Sequence, residues 1–337
     1  MGVFAALSGD YANLGTNIRH GAQLALDEYN AEHPDCEAVL EEFDSRGSER
    51  RAPRLAESVV ADSEVIGVVG PGFSGESMAA LPTFDEAGLP VITPSATNPS
   101  LAEQGWDVFH RMLGNDATQG PAVAQYVADV LGGKKVFLMN DATEYGAALA
   151  TIIQQDLRGR VIGTDAVQQQ QTDFSAAVTA VDSLGADTLV YVGYYAEAAR
   201  LTKQMRRAGW KGDIVATDGV KDPGYIEAGG AATKGTILTC PCIPPDEAPR
   251  FSRAYEKAFG VEPSTYSAEG YDAMRVFLAG LDEGIDNRED MLRFVDDYTG
   301  SGLTNRVAFD DRGEPSDVAM WAYRVKKGRI VTDREIE

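Results

Sequence analysis

The sequence predicts an α/β protein of two lobes, each a parallel sheet flanked by helices. Three observations predict it. Short apolar runs alternate with helical-period segments almost throughout, the pattern of repeated βα units. The length, 337 residues, suits about two domains of ordinary size. Two stretches, 93–120 (rich in Pro, Asn, Gly and Ser) and CPCIPPDEAP at 240–249, break the rhythm where a chain would cross between lobes.

In chain order, VFAAL opens a strand over 3–7, followed by a helix over 15–31. Strand 38–43, helix 48–62, strand 65–70, helix 75–87 and strand 90–93 complete the first series. In the second series, helices 119–131, 144–157, 174–184, 195–208 and 222–228 alternate with strands 135–140, 161–167, 188–193, 213–217 and 235–239. Helix starts carry capping residues: Thr172-Asp173 before FSAAVTAV, and Asp141-Ala142-Thr143-Glu144 before YGAALATII. Beyond the second break come helices 248–259, 266–283 and 288–298, then strand-like pieces at 304–309 and 318–325. Two lobes with two or three crossings is the economical arrangement.

Composition excludes several classes. With 44% apolar and 24% charged residues, the chain can bury ordinary cores. Its 30 basic against 52 acidic residues give a net charge of −22, a field that repels a phosphate backbone, so no nucleic-acid partner is expected. The acidity reads as solubility, with a saline habitat as the functional alternative. No run of 18 apolar residues offers a membrane span. The chain is already in a strand by residue 3, the start expected of a protein trimmed of its export signal. The three cysteines, Cys36, Cys240 and Cys242, are an odd count that argues against a disulfide framework. Cys240-Pro241-Cys242 is neither CxxC nor a zinc spacing, and His20, His33 and His110 form no cluster with it. No metal is expected, and the pair reads as strand-end residues beside a crossing.

Ligands of open parallel sheets bind at the carboxyl ends of strands. In the first lobe those ends carry Ser8-Gly9-Asp10-Tyr11, then PGFSG with Ser74, then Pro94-Ser95-Ala96-Thr97-Asn98. In the second they carry Asn140-Asp141 with Tyr145, then Tyr194-Tyr195, then Thr217-Asp218-Gly219. Ser74 at a helix N-terminus suits an anion, and the main chain and hydroxyls of Ser95-Ala96-Thr97 add to it. Asp218 suits a cation, and Tyr145 and Tyr194 an apolar or cationic body. The set fits a compact zwitterion, most simply an amino acid. Taken singly, each has a bland explanation: Ser74 as an N-cap, Ser95–Pro99 and Asp218-Gly219 as turns, Tyr145 as core. The conjunction at successive strand ends favours function.

Gly70-Pro71-Gly72-Phe73-Ser74-Gly75 matches a dinucleotide fingerprint by chance. The acid that should end the next strand is absent, since it ends LPVIT-PSAT, and the motif follows the third strand instead of opening a domain. No cofactor is expected. Gly72-Phe73-Ser74-Gly75-Glu76 fails the G-x-S-x-G elbow at its last position, and no phosphate-loop motif occurs. No catalytic residue is assigned, and the chain does not read as an enzyme.

The combination FAALSGDYANLG…GAQLALDEYN, VVGPGFSGES, LPVITPSATNPSL, MNDATEYGAALA, YVGYYAEAARLTKQMRRAG, TDGV and FDDRGEPSDVAMWAYRV resembles the branched-chain amino-acid-binding proteins of bacterial ABC transporters, which are type I periplasmic binding proteins. The resemblance implies two Rossmann-like lobes joined by three crossings, here 1–118 plus 244–312 and 119–243 plus 313–337. It implies closure on a ligand in the cleft between them, delivery to an ABC permease, and a monomer located in the periplasm or outside the cell, with lipid anchoring as one form. By position, Ser74 and Thr97 look like the carboxylate ligands, the main chain at Ser95 or Ala96 like an ammonium acceptor, and Asp218 like the acid that pairs with the ammonium. Tyr145 and Tyr194 match the second-lobe aromatics, and Tyr266 lines the side-chain pocket. Phe73 and Leu14 complete the ligand-binding set. Leu14 stands where leucine/isoleucine/valine binders often carry an aromatic, Asp218 replaces the commoner Glu, and Phe73 stands where some relatives have a disulfide cysteine. Rival expectations are a receptor or regulator domain of the same fold, an α/β enzyme acting on an amino acid, and a binder of 4-aminobutyrate or another amine-bearing carboxylate.

Overall fold

The computed structural model describes residues 1–35, 37–304, 306–316 and 318–336. Cys36 lies outside the described residues. The chain divides into two compact units, Met1–Gly114 with Cys242–Val318 and Asn115–Pro241 with Ala319–Glu337, so it crosses between them three times.

The order begins β1 (Gly2–Ala5), α1 (Ala12–Glu32), β2 (Glu41–Asp44), α2 (Ala52–Ala61), β3 (Val68–Val69), α3 (Ser74–Glu86), β4 (Val91–Thr93) and β5 (Phe109–Arg111). It continues with α4 (Asp116–Gln125), β6 (Val136–Asn140), α5 (Glu144–Asp156), β7 (Val161–Ala166), α6 (Ser175–Ser183), β8 (Thr188–Val192), α7 (Tyr195–Arg207), β9 (Asp213–Ala216), α8 (Pro223–Gly229) and β10 (Ile237–Cys240). Last come α9 (Pro249–Phe259), α10 (Ser267–Asp282), α11 (Arg288–Asp296), β11 (Thr299–Ser301), β12 (Arg306–Ala308), β13 (Met320–Lys326) and β14 (Arg329–Ile336).

Unit 1 holds a parallel sheet in the order β2-β1-β3-β4-β5. Its core joins Phe4, Val68, Val91 and Phe109 of the strands to Ala52, Ala56 and Val59 of α2 and to Ala80, Leu81 and Phe84 of α3. The α2 residues recur at i, i+4 and i+7, the period that turns one helix face to the sheet. Each large side chain buried there contributes about 1.5–3 kcal/mol. Unit 2 holds a seven-stranded sheet, β14-β13-β10-β9-β8-β6-β7, parallel except where β13 and β14 run antiparallel. Strand β8, TLVYV, is buried at every position, as a central strand covered on both faces must be. Among the described residues no helix is long and apolar enough to cross a membrane.

The fold amends the sequence expectations in four places. The irregular stretch after β4 contains a strand, β5, paired to β4 in register Thr93↔Arg111. A strand beyond 318–325 adds β14 to the sheet edge. Residues 313–316, expected with the second lobe, belong to unit 1, where the Arg111 N–H donates to the Gly313 carbonyl at 2.8 Å. Finally, Cys240 and Cys242 are disulfide-bonded. Any third sulfur could satisfy only one of them, so they are bonded to each other. The odd cysteine count misled because a bridge over one intervening proline needs no framework. The bridge spans the point where the chain leaves unit 2 for unit 1.

Candidate functional site

In unit 1 the ends of β3 and β4 are tied together by short side chains. Thr93 Oγ1 donates to the Pro71 carbonyl at 2.8 Å and accepts from the Ala96 N–H at 3.0 Å. Ser95 Oγ donates to the Gly72 carbonyl at 2.5 Å. Ser74 Oγ accepts from the Asn98 N–H at 3.3 Å. Ser74, Ser95, Ala96 and Thr97 are therefore brought together and buried. Ser74 is not the cap of its helix: Phe73 holds that position, and Ser74 is the first helical residue. Phe73 has no acceptor to offer as a cap, but Glu76 Oε2 reaches back to accept from the Phe73 N–H at 3.3 Å. Burial pushes the Glu76 carboxyl up to about 7, against the Ser45 hydroxyl and the Phe73 N–H. Thr97 Oγ1 is buried with no hydrogen-bond partner. Such an atom is costly unless something completes it.

Unit 1 also holds the apolar residues expected of the site. The Phe73 ring meets Tyr11 edge to face, with centroids 6.0 Å apart. Leu14 is fully buried on α1. Tyr266 caps α10 with φ 71° and ψ 4°, a left-handed conformation unusual for an aromatic residue. Leu14 and Tyr266 lie on helices that pack against each other.

In unit 2 the ends of β6, β8 and β9 carry the other predicted residues. Tyr145, in the first turn of α5, donates its hydroxyl to Asp218 Oδ1 at 2.6 Å and lies 2.5 Å from Thr217 Oγ1. The Tyr194 ring is 5.6 Å from that of Tyr145, tilted by 41°. Asp218 is buried and opens the short helical turn 218–220. Unit 2 thus gathers Tyr145, Tyr194 and Asp218, with Thr217 fixing the phenol that aims the carboxylate. Behind them Asp141 is buried, its Oδ1 accepting from the Thr143 N–H and hydroxyl. Burial pushes its carboxyl up to about 7, with Glu197 adding to the push and Thr143 opposing it. Gly193, at φ +155°, is required there, because a Cβ would sit 2.7 Å from the Asp141 carboxyl. Among the described residues no group of three or more His, Cys, Asp or Glu side chains could hold a metal ion.

Buried hydroxyls thus stand at the strand ends of unit 1, and aromatics with buried carboxylates at those of unit 2, and the profile of the periplasmic binding protein family matches residues 1–329. The chain belongs to that family. It is 29% identical to Leu/Ile/Val-binding protein homolog 3 of Brucella melitensis, over 98% of this chain and 92% of that protein. It is similar to the crystal structure of a leucine binding protein, LivK, from Thermotoga maritima, with TM-score 0.90 and 27% identity over 99% of this chain and 97% of that one. It is also similar to the branched-chain amino acid transporter substrate binding protein LivJ of Streptococcus pneumoniae in complex with isoleucine, with TM-score 0.91 and 27% identity over 98% and 99% of the two chains. The two-lobed, type I architecture expected from the sequence is the architecture of these neighbours.

Sequence reasoning about a periplasmic binding protein looks to the residues after each strand, and so it passed over Arg111 and Glu314. Arg111 ends β5 inside a stretch read as loop, and its partner lies 203 residues away. The signal in the sequence was slight: a lone Arg after VFH, and a Glu in a turn after Asp-Arg-Gly.

Proposed function

We propose that this protein is the extracytoplasmic substrate-binding protein of an ABC transporter and captures an aliphatic amino acid, branched-chain in the first instance. The observation that carries the proposal is Asp218, a buried carboxylate aimed by Tyr145. A carboxylate held in place by a phenol suits a charge-assisted bond to an ammonium, and an amino acid carries that ammonium together with its own carboxylate. Unit 1 offers that anion Ser74 and the unpartnered hydroxyl of Thr97. Charge-assisted hydrogen bonds of this kind contribute about 1.5–3 kcal/mol each. Tyr145 and Tyr194 on one unit, and Leu14, Phe73 and Tyr266 on the other, supply the apolar surface for an aliphatic side chain. The relatives named for leucine, isoleucine and valine, and the neighbour holding isoleucine, support the same ligand class. The partner that follows is an ABC permease, the site of action is the periplasm or cell exterior, and the working form is a monomer.

Asp218 in place of Glu draws the carboxylate back by one methylene, which favours a second reading: an amine set farther from its carboxylate, as in 4-aminobutyrate. A thermal-shift panel on refolded, ligand-stripped protein separates the two, since a ligand that binds only the native state raises Tm by mass action. Leucine, isoleucine or valine giving the largest shift supports the first reading, and 4-aminobutyrate the second. A shift only with carboxylates that lack an amine defeats both. In the same assay Asp218→Ala should weaken binding by about 3 kcal/mol, roughly a hundredfold in Kd, because the ammonium loses its counter-charge. An unchanged Kd removes Asp218 from the site.

A further inference from the structure

Arg111 is fully buried at the end of edge strand β5. Such a guanidinium persists only where its N–H groups are satisfied. Its Nε and Nη2 form a fork to the Glu314 carboxylate at 3.0 and 2.9 Å. Two further hydrogen bonds go to carbonyls: Nη1 to Ala96 O at 2.5 Å and Nη2 to Asn98 O at 3.1 Å. Glu314 is held in turn by its own N–H, which donates to Asp310 Oδ1 at 3.0 Å. One side chain therefore ties the loop after β4 to the 310–314 turn, and the two carbonyls it takes lie on either side of Thr97.

Peptide planarity makes this more than a structural ion pair. In a trans peptide the C=O and the following N–H point in opposite directions. Drawing the Ala96 carbonyl to Arg111 turns the Thr97 N–H away from Arg111. In the same way, the Ala96 N–H bond to Thr93 Oγ1 turns the Ser95 carbonyl away from Thr93. The Ala96 carbonyl is thereby committed to Arg111, which leaves the Ser95 carbonyl as the acceptor for an ammonium.

We infer that Arg111, anchored by Glu314, is a positioning residue for ligand binding: it aims the Thr97 N–H at the ligand carboxylate by holding the Ala96 and Asn98 carbonyls. The inference rests on the amino-acid-binding role proposed above. Losing one charge of a buried pair can unfold a protein, whereas replacing both with apolar side chains is often tolerated. The test therefore compares wild type, the R111M/E314M double variant and R111K, which keeps the charge but lacks the planar guanidinium that reaches the Glu314 carboxylate and both carbonyls at once. Calorimetric titration with L-leucine, L-isoleucine and L-valine is run at 10 °C, well below each variant's melting transition, and Tm is measured separately without ligand.

The expected result is a folded double variant whose Kd is raised about tenfold or more, the loss of an aimed charge-assisted bond. R111K should bind as weakly even where its Tm matches wild type. A purely structural pair predicts the converse, a changed Tm with an unchanged Kd. A folded double variant, or a folded R111K, that binds within twofold of a wild type that itself binds overturns the positioning role alone. A wild type that binds none of the three amino acids overturns the functional reading and the positioning role with it.

Discussion

If Thr97 binds the ligand carboxylate as proposed, its replacement has opposite consequences for stability and binding, which makes it a sharp residue-scale test. A buried hydroxyl without a partner costs about 1–3 kcal/mol, and an isosteric methyl removes that cost. Thr97→Val should therefore raise the Tm of the ligand-free protein while weakening ligand binding by about 1.5–3 kcal/mol. A lowered Tm, or an unchanged Kd by titration, would show that the hydroxyl serves the fold alone. Asp141 tests the acid behind the aromatics. Its folded-state pKa of about 7 lies above the ordinary carboxylate value of 3.8, so the stability it permits is fully present below pH 3.8 and is lost as pH rises through 7. Asp141→Asn keeps an acceptor for Thr143 and cannot ionise. Its Tm should match wild type near pH 4 and exceed it at pH 8, at about 2–4 °C per kcal/mol for a unit of this size. Equal melting curves at both pH values would mean that Asp141 ionises freely in the folded protein. Thr97 and Asp141 both stood out in the sequence as strand-end residues, Asp141 directly after β6 and Thr97 four residues past the end of β4. Arg111 was not, because a charged side chain in a Pro- and Gly-rich stretch looks like solvated loop until its remote carboxylate is known.

At the scale of elements, legibility followed apolar periodicity. Strands such as TLVYV at 188–192 are buried throughout and announce themselves. The Phe109–Arg111 strand is three residues long, with two polar side chains buried by specific partners, His110 by Asp296 and Arg111 by Glu314, so no alternation could show. Strand β14, RIVTDREI, is an edge strand with charges on it, which reads as loop although charge is how an edge is protected. Its hairpin did leave a signal in Lys327-Gly328, both left-handed at φ 51° and 73°. The Cys240–Cys242 bridge was unreadable because its ring is so small, and size also limits its worth. Closing a three-residue loop removes chain entropy equivalent to about 1.5–2 kcal/mol, far less than a long-range bridge. Replacing both cysteines by serine should therefore lower Tm by only a few degrees, with serine's unmet hydroxyls contributing part of that loss. A collapse of the fold on reduction, followed by near-ultraviolet circular dichroism, would assign the bridge a far larger role than its loop size allows.

For the whole molecule, the dominant fact is a charge of −22. Exposed ion pairs such as Arg293 with Glu289 and Asp290 use up some carboxylates, but acids outnumber bases, 52 against 30, so the mean interaction between surface charges is repulsive. Salt weakens attractions and repulsions alike, and with this imbalance the net effect is stabilising. The Debye length falls from about 30 Å at 0.01 M to about 10 Å at 0.1 M and about 3 Å at 1 M, so most long-range repulsion is removed by a few tenths molar. Tm should therefore rise steeply with sodium chloride up to about 0.3 M and flatten beyond it. Surface exclusion by salting-out ions instead grows steadily into the molar range and is stronger with sulfate than chloride. A curve that saturates early and is the same for chloride and sulfate at matched ionic strength assigns the gain to screened self-repulsion, and makes a saline setting one in which this chain is most stable. A curve flat below 0.3 M reduces the acidity to a device for solubility, with the carboxylates spaced widely enough that folding does not feel them.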